Sequence, residues 1–335
     1  MGSTRPLISV IIPAYRHQDF ILETIDSVYR QTYPNIELIV LDDASPDQTF
    51  QRADAILQTR YARRFSHVIC QQNSANHGAH ATLNAGLRVA SGDYIAILNS
   101  DDAFQPSRLS TLLDHLQSTG RRFAFTGVVA TGAVPASTGA STGPMAPAAA
   151  PPVPPAANNA AIPFADFSCL VLRQAAAIAA APAIGFALLQ QNLAITSGNF
   201  FGHRELFRQV GWFSSLRYCH DWDYLMRVVL HEDPLFVSTP LYDYRLHPQN
   251  SFSQYQEIAT IETEIVLRRY FRAVATTAPD NPDAPSPQRW PRVFEVFIAS
   301  VGYQRFWAAE RHCYAAGLRT LDAPSAPRGR QQAPP

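Results

Sequence analysis

The chain contains no lysine, so all 27 of its basic residues are arginine. This absence excludes a Schiff-base lysine and the lysine of a phosphate-binding loop. The Gly-x-Gly-x-x-Gly and P-loop patterns are missing as well. The 27 acidic residues cancel the arginines, and without net charge no overall field draws the chain onto nucleic acid. We therefore expect no nucleic-acid partner, and a ligand must be recognised at a local site.

Cysteine is also scarce, and it follows no metal-binding or redox spacing. The four residues are Cys70, Cys169, Cys219 and Cys313. Their wide scatter favours reduced thiols over a disulfide framework, as is usual in the cytosol. The first strand-like run begins at Leu7, which is too early for a secretory signal peptide. We therefore predict a cytoplasmic protein.

Apolar runs all fall short of the roughly 20 residues that a membrane span requires. The most apolar late stretch, residues 175–189, contains Pro182 and Gly185, and we interpret it as a buried or interfacial segment. No transmembrane segment is expected. The C-terminal helices could still contact the inner face of a membrane, a partner enzyme or a second copy of the chain in a homo-oligomer, and the sequence leaves these possibilities open.

Residues 7–129 alternate between strand-length apolar runs and segments with apolar residues at helical spacing. This pattern predicts βαβ units and an α/β fold with a Rossmann-like, mostly parallel sheet flanked by helices. The predicted strands are 7–12, 36–41, 67–70, 94–98 and 123–129. The predicted helices are 20–30, 48–60, 80–90 and 106–118, with Pro106 in the first helical turn. Short crossovers make right-handed parallel connections the expectation.

The later part of the chain divides by composition. Residues 130–163 are rich in Ala and Pro and poor in large side chains, which predicts a flexible loop, either a plain insertion or a lid. Order resumes at residues 164–172, followed by predicted helices 204–210 and 221–230 and strand-like runs 235–238 and 241–246. The predicted organisation is a domain over 1–250, with halves 1–129 and 164–250, then a helical C-terminal extension over 251–320 containing helices 256–275 and 291–316, and a disordered tail over 321–335.

Carboxylates follow two of the predicted strands. Asp42 and Asp43 close the run at residues 36–41, and ligands of parallel α/β sheets bind at the carboxyl ends of the strands. Asp43 could accept the imide N–H of a uracil or thymine, while Asp42 could instead cap the following helix. At the end of the first strand, Pro13, Ala14 and Tyr15 form either a small turn that lets a flat nucleobase approach or a plain β-to-α turn.

Asp101 and Asp102 close the strand at residues 94–98. Mg²⁺ and Mn²⁺ typically take one or two carboxylates together with diphosphate oxygens. One aspartate of the pair could therefore bind metal while the other contacts sugar or ribose hydroxyls. The alternative is a solvated acidic turn or an N-cap for the next helix. Upstream, Asn84 and Gly86 belong to a helix that should border the same crevice.

A third carboxylate group lies at Asp221 and Asp223, directly before an apolar helical run. Either residue could act as a general base toward an acceptor hydroxyl, or both could cap the helix. Farther on, Arg245 and His247 end a strand-like run, where they could meet a leaving diphosphate or its metal. A structural role for the lone histidine is the alternative.

These residues together resemble the inverting family 2 glycosyltransferases of the nucleotide-diphospho-sugar (GT-A-type) fold. The matching segments, in the family's order, are residues 9–15, 27–33, 37–45, 84–86, 92–95, 100–102, 210–213, 221–227 and 244–247. Each segment is weak by itself, but the ordered set is specific. Two positions depart from the family pattern, because Asn99 and His220 stand where Asp or Glu is common.

The resemblance implies roles for single residues. Pro13, Ala14, Tyr15 and Asp43 match the nucleotide-base pocket, with Asn84 and Asp101 also on the nucleotide-sugar side. Asp102 matches the metal-binding carboxylate, His247 a position that contacts metal or diphosphate, and Asp221 the catalytic base, with Asp223 as the alternative.

The implied function is transfer of a sugar from a UDP- or dTDP-sugar to an acceptor hydroxyl with inversion, aided by Mn²⁺ or Mg²⁺. The expected partners are the nucleotide-sugar donor and a glycan, lipid-linked or protein acceptor of bacterial cell-surface polysaccharide or glycan synthesis. Two other classes compete with this interpretation. One is a catalytically silent nucleotide-sugar-binding protein, and the other is a nucleotidyltransferase, which commonly has a Gly-rich basic loop after its first strand.

Overall fold

The computed structural model describes residues 5–132, 174–247, 250 and 256–315. Its strands are β1 (Ile8–Ala14), β2 (Ile36–Asp42), β3 (His67–Gln72), β4 (Tyr94–Ile97), β5 (Ala103–Phe104), β6 (Phe123–Thr131), β7 (Phe201–His203) and β8 (Leu235–Arg245). Its helices include α1 (Ile21–Tyr29), α2 (Thr49–Leu57), α3 (Ala79–Val89), α4 (Arg108–Thr119), α5 (Ile184–Gln190), α6 (Arg204–Val210), α7 (His220–His231), α8 (Gln256–Thr276), α9 (Pro291–Ser300) and α10 (Gln304–Ala315). Residues 174–180 are also helical.

The eight strands form one sheet in the order β3-β2-β1-β4-β7-β6-β8-β5. β1 pairs in parallel with β2 and β4, and β2 with β3. β7 is antiparallel to both β4 and β6, and β6 is parallel to β8. Two reversals restore the direction, so β8 runs the same way as β1 and β4. The α/β prediction is confirmed, and the carboxyl ends of β1, β2, β4 and β8 share one edge of the sheet.

The central parallel strands β1 and β2 are rich in apolar residues because helices cover both faces of the sheet. β1 and β2 are buried at nearly every position. Helix α3 approaches the sheet closely at Gly86, where an added Cβ would lie 2.4 Å from Cγ2 of Ile11. Glycine at this position therefore lets α3 lie directly against β1.

The two faces of the sheet carry separate hydrophobic clusters. One cluster joins β1, β2 and β4 with α1, α2 and α4. The other joins the opposite face with α5, α6, α7 and the C-terminal helices. From α8 it takes Val266, Leu267, Tyr270, Phe271 and Val274, all nearly inaccessible to solvent. The C-terminal extension therefore packs into the same buried cluster as α7, while the predicted division of the chain at residue 250 stays a prediction.

Several boundaries differ from the expectations for physical reasons. The helix predicted over 291–316 is two helices, because Gly302 adopts a φ of +75° between them. The two runs at 235–246 form one strand, β8, with a register shift opposite Gly127. The two-residue β5 is too short for a periodicity to mark, and α4 begins at Arg108, two residues after Pro106. The predictions for residues 133–163, 164–172 and 321–335 lie outside the described residues.

Candidate active site

Three side chains meet just beyond the carboxyl ends of three strands. His17 follows β1, Asp101 follows β4 and His247 follows β8. Nε2 of His247 lies 3.0 Å from Oδ2 of Asp101, and Nε2 of His17 lies 3.7 Å from the same oxygen. Because β1, β4 and β8 run in the same direction, these three residues lie at one edge of the sheet although they are far apart in sequence.

The His17, Asp101 and His247 group has the composition of a cation site. One ligand atom from each residue lies within 4.8 Å of the others. Burial alone would raise the pKa of Asp101, but the adjacent His17 and His247 outweigh burial and hold this pKa below its usual value. Burial lowers the pKa of His17, so at neutral pH its imidazole is in the neutral form that metals bind. Two imidazoles and a carboxylate suit divalent transition metals.

Asp102 is committed to holding the end of β8. Its carboxylate accepts hydrogen bonds from the Tyr242 hydroxyl at 2.6 Å, the Arg245 backbone N–H at 2.8 Å and the Asn99 amide at 3.2 Å. Burial and the neighbouring Asp101 raise its pKa well above the usual range. The prediction that Asp102 binds metal stays a prediction, and the geometry makes Asp101 the better placed ligand.

Asp43 begins the turn after β2 and is 3% exposed. Its carboxylate accepts the backbone N–H of Gly78 at 2.7 Å and of His77 at 2.9 Å, and the amide of Asn73 at 2.8 Å. These bonds pin the start of α3 to the end of β2. Base recognition by Asp43 would use the remaining acceptor capacity of the carboxylate.

Asp42 does not reach the helix that follows it. Its Oδ1 accepts the Ser45 backbone N–H at 2.8 Å and its Oδ2 the Ser45 hydroxyl at 2.6 Å. Ala44, inside this turn, has a φ of +57°, and the two bonds hold the chain in that left-handed conformation. The expected alternative role as a helix cap is therefore replaced by a turn-stabilising role.

The predicted base pocket at the end of β1 combines a buried and an exposed side chain. Ala14 is 2% exposed and Tyr15 is 38% exposed. Arg16 has a φ of +59° and its guanidinium carbon lies 5.8 Å from the centre of the Tyr15 ring. The Tyr15 side chain is thus partly exposed to solvent. Pro13 lies opposite Leu41, and Ala14, opposite Asp42, ends the paired part of β1.

Asp221 lies in the first turn of α7. Its Oδ2 accepts a hydrogen bond from the Asn192 amide at 2.9 Å, and its Oδ1 accepts the Trp222 backbone N–H at 2.7 Å. Burial raises the pKa of this carboxyl group to about 7. A carboxyl group with a pKa near the working pH has the property that a general base needs.

Asp223 is 3% exposed and forms ion pairs with two arginines. Arg269 of α8 lies 2.9 Å from its Oδ1 and Arg227 lies 3.1 Å from its Oδ2. The Ser214 hydroxyl donates to Oδ2 at 2.9 Å. These contacts describe a buried ion-pair group between α7 and α8, and they leave Asp221 the better placed of the two candidate bases.

Tyr244 connects the acidic groups electrostatically. Burial raises its pKa well above the usual value, and the charges of Asp102, Asp101 and Asp221 raise it further. The charges of the candidate base and of the two aspartates after β4 therefore act on the same tyrosine.

Asn84 forms hydrogen bonds away from these groups. Its amide oxygen accepts the backbone N–H of Phe213 at 2.8 Å, and its amide nitrogen donates to the Phe213 carbonyl at 2.9 Å.

Several site residues were missed from the sequence. His17, Asn192 and Tyr242 contact Asp101, Asp221 and Asp102 across 29 to 140 residues. Tyr242 lies near the end of β8, five residues before the predicted site residue His247. This closeness in sequence could have marked Tyr242 as a further site residue. No local pattern marks His17 or Asn192.

The fold is shared with solved glycosyltransferases. Residues 1–349 of S. aureus TarS, solved in complex with UDP-GlcNAc, match 93% of this chain and 92% of their own length, with a TM-score of 0.52 and 14% identity. Mannosyltransferase PcManGT from Pyrobaculum calidifontis, in complex with GDP-Man and Mn²⁺, matches 95% of this chain and 77% of its own, with a TM-score of 0.51 and 18% identity. At these identities the likeness shows the fold alone.

The sequence profile of glycosyl transferase family 2 matches residues 9–178. The chain belongs to this family and has the GT-A-type fold, as the resemblance of its motifs predicted. Among curated relatives, the UDP-Glc:alpha-D-GlcNAc-diphosphoundecaprenol beta-1,3-glucosyltransferase WfaP of Escherichia coli is 38% identical over 117 residues. The match covers 35% of this chain and 43% of WfaP.

A second relative is the putative teichuronic acid biosynthesis glycosyltransferase TuaG of Bacillus subtilis, 35% identical over 127 residues. That match covers 38% of this chain and 48% of TuaG, so the chain spans less than half the length of either relative. Within the part of the chain that the structure describes, no helix has the length and apolar character needed to cross a membrane.

Proposed function

We propose that this glycosyltransferase is metal-dependent and inverting, and that it moves a sugar from a UDP- or dTDP-sugar to an acceptor hydroxyl in bacterial cell-surface polysaccharide or glycan synthesis. The observation that carries the proposal is the placement of Asp101 between His17 and His247 at the carboxyl edge of the sheet. The charges of Asp101 and of the candidate base Asp221 both raise the pKa of Tyr244, which supports placing the two carboxylates in one site.

The nucleotide would lie over the ends of β1 and β2. Tyr15 supplies an exposed ring, and Asp43 supplies an acceptor for the imide N–H of uracil or thymine. WfaP is named for UDP-Glc and the TarS structure holds UDP-GlcNAc, which supports a uridine donor. PcManGT binds GDP-Man, so a GDP-sugar is the competing donor against which uridine and thymidine donors are compared.

The metal would be held by Asp101, His17 and His247. The donor set fits a divalent cation, because a carboxylate of lowered pKa faces two imidazoles. When bound, the cation offsets charge that develops on the departing nucleoside diphosphate. The two imidazole ligands favour Mn²⁺ over Mg²⁺, which prefers oxygen ligands. The Mn²⁺ of PcManGT supports the same choice.

Asp221 would take the proton of the acceptor hydroxyl. The hydroxyl oxygen then forms a bond to the anomeric carbon from the face opposite the nucleotide, while the bond to the diphosphate oxygen breaks and that oxygen keeps the electron pair. One displacement inverts the anomeric configuration. Asn192, at 2.9 Å, orients the Asp221 carboxylate for this step.

The acceptor is proposed from the relatives. WfaP acts on a diphosphoundecaprenol-linked sugar by its name, and TuaG is named for teichuronic acid. A lipid-linked glycan acceptor would bring the chain to the inner face of the membrane as a peripheral protein.

A donor screen with product analysis tests the proposal. Purified protein is incubated with UDP-, dTDP- and GDP-sugars, with Mn²⁺, with Mg²⁺ or with chelator, and nucleoside diphosphate release is measured. We expect release from one UDP- or dTDP-sugar, higher with Mn²⁺ than with Mg²⁺ and lost with chelator. NMR of the product with a lipid-linked acceptor should show the anomeric configuration opposite to the donor. Retention of configuration, or equal release with chelator, would contradict the proposal.

A further inference from the structure

The C-terminal helix α8 contacts the loop that leads into α7. The Glu262 carboxylate accepts three consecutive backbone N–H groups, from Arg217 at 2.7 Å, Tyr218 at 2.7 Å and Cys219 at 2.8 Å. Glu262 is only 6% exposed. Three bonds to one carboxylate fix the path of the main chain immediately before the candidate base.

A second contact from α8 reaches the other side of that base. Arg269, two helical turns beyond Glu262, bonds Oδ1 of Asp223 at 2.9 Å. Asp221 therefore lies in a segment of five residues, 219–223, whose two ends are both tied to α8. Without α8, the first turn of α7 would lose both ties.

We propose that Glu262 is a positioning residue of the active site, which fixes the backbone that carries Asp221 and places a second negative charge near this base. The proposal rests on the function proposed above. It assigns the C-terminal extension an indirect part in catalysis, because the extension supplies the carboxylate that holds the base in place.

The electrostatic surroundings of Asp221 agree with this role. Burial is the main cause that raises the pKa of Asp221 to about 7, and the charge of Glu262 raises it further, against the N–H donors that lower it. On its own helix, Asp221 has two titratable neighbours: His220, whose pKa burial lowers to about 4 and which is therefore neutral at neutral pH, and Asp223, whose charge is paired with arginines. From the preceding loop and β8 come Tyr218, Cys219 and Tyr244, and burial raises the pKa values of these three groups, so they are also neutral at neutral pH. The charge of Glu262 can therefore be removed to shift the pKa of the base.

Glu262→Gln tests both parts of the proposal in the full chain. The variant removes the charge and sets an amide N–H₂ against backbone donors. We expect turnover to fall about tenfold or more while donor affinity stays within about twofold, since only the base is displaced. The acid limb of the pH profile should move down by about half a pH unit or more. Glu264→Gln is the matched control on the same helix, because Glu264 forms an i,i+4 ion pair with Arg268 at the surface.

Glu262→Asp separates charge from reach, and it serves if Glu262→Gln does not fold. It keeps the negative charge on a shorter side chain, so turnover should fall while the acid limb stays at the wild-type pH. Wild-type turnover in both variants would overturn the positioning role, and an unshifted acid limb in Glu262→Gln would overturn the tuning role. Absence of transfer in the wild-type protein contradicts the proposed function instead, so the two failures are distinguishable.

Discussion

Asp101 and His247 are 146 residues apart in the chain, yet Oδ2 of the aspartate lies 3.0 Å from Nε2 of the histidine. The contact exists because β8 returns to the direction of β4 after two antiparallel pairings through β7. Arg245 strengthens the same junction, since its Nε donates to the Asp101 carbonyl at 2.9 Å. The carboxyl ends of β4 and β8 are thus joined at the site itself.

Asp101→Asn should weaken metal-dependent donor binding. Changes in outer-shell partners of a metal ligand lower metal affinity about 10- to 100-fold, and loss of a ligand should lower it at least as much. Calorimetry of UDP binding with and without Mn²⁺ measures the effect, which should appear only in the measurement with Mn²⁺.

Because protons compete with metal for the imidazoles, the Mn²⁺-dependent part of wild-type binding should also decline as pH falls.

Asp102→Asn is the matched comparison, with the same chemical change one residue away. Its carboxylate holds Tyr242 and the Arg245 backbone rather than the His17, Asp101 and His247 group, so we expect the Mn²⁺ dependence to be largely retained. If Asp102→Asn abolishes the Mn²⁺ effect and Asp101→Asn preserves it, the metal is bound by Asp102, as the family resemblance implied.

Asp221→Asn should lower turnover about 10²- to 10⁴-fold, the range for general-base assistance. UDP-sugar affinity should be unchanged, because the proposed role of Asp221 is to take the proton of the acceptor hydroxyl. Sugar transfer to acceptor under saturating donor measures the first quantity, and calorimetry measures the second. Transfer at the wild-type rate would exclude Asp221 as the base.

Asp223→Asn should behave in the opposite way. Breaking one side of a buried ion pair destabilises a protein by about 3–5 kcal/mol, and here Arg227 and Arg269 both lose their partner. Since both arginines are partly exposed, we expect the lower part of this range in urea unfolding, with a much smaller loss of turnover per folded molecule than in Asp221→Asn. Strong loss of turnover without loss of stability would make Asp223 the base.

The sequence predicted the regular part of the fold well. The strands 36–41 and 67–70 and the helix 80–90 lie within two residues of β2, β3 and α3 at each end, because long periodic runs reflect a buried face directly. The antiparallel insertion of β7 was not predicted, since three residues are too few to show a period. Pairing of distant strands depends on tertiary contacts that local patterns do not encode.

The candidate site was predictable in its carboxylates and less so in their partners. Asp101 follows an apolar strand-length run and Asp221 precedes an apolar helical run, and both match positions of the family pattern. His17 contributes one imidazole in a polar turn, where nothing local separates a ligand from a surface residue. Glu262 lies within a helix of 21 residues, and its role depends on the fold that brings it to the 217–219 loop.

Gly198→Ala should disturb the support of Asp102. A Cβ at this position would lie 2.0 Å from Oη of Tyr242 and 2.9 Å from the backbone N of Asn99, two residues that donate to Asp102. We expect a loss of about 1–3 kcal/mol in urea unfolding, as for other overpacked sites. In a Tyr242→Phe background the same change should cost less, because the clashing hydroxyl is gone. Equal losses in both backgrounds would contradict this account of the contact.

Asp221→Asn should stabilise the protein at neutral and alkaline pH although it removes activity. The folded pKa of Asp221 is about 7, above its usual value of 3.8. A folded pKa above the unfolded pKa means that the stabilising contribution of Asp221 is complete below the unfolded pKa and is lost as pH rises through the folded pKa.

Asparagine does not ionise, so the gain in free energy of unfolding of Asp221→Asn over the wild-type protein should grow between about pH 4 and about pH 7 and then level off. Because one pKa unit corresponds to about 1.4 kcal/mol and the residue is partly accessible, we expect a plateau of about 1–3 kcal/mol. Urea unfolding of both proteins across this pH range measures the gain, and a difference that does not change with pH would mean that Asp221 ionises in the folded state as easily as in the unfolded chain.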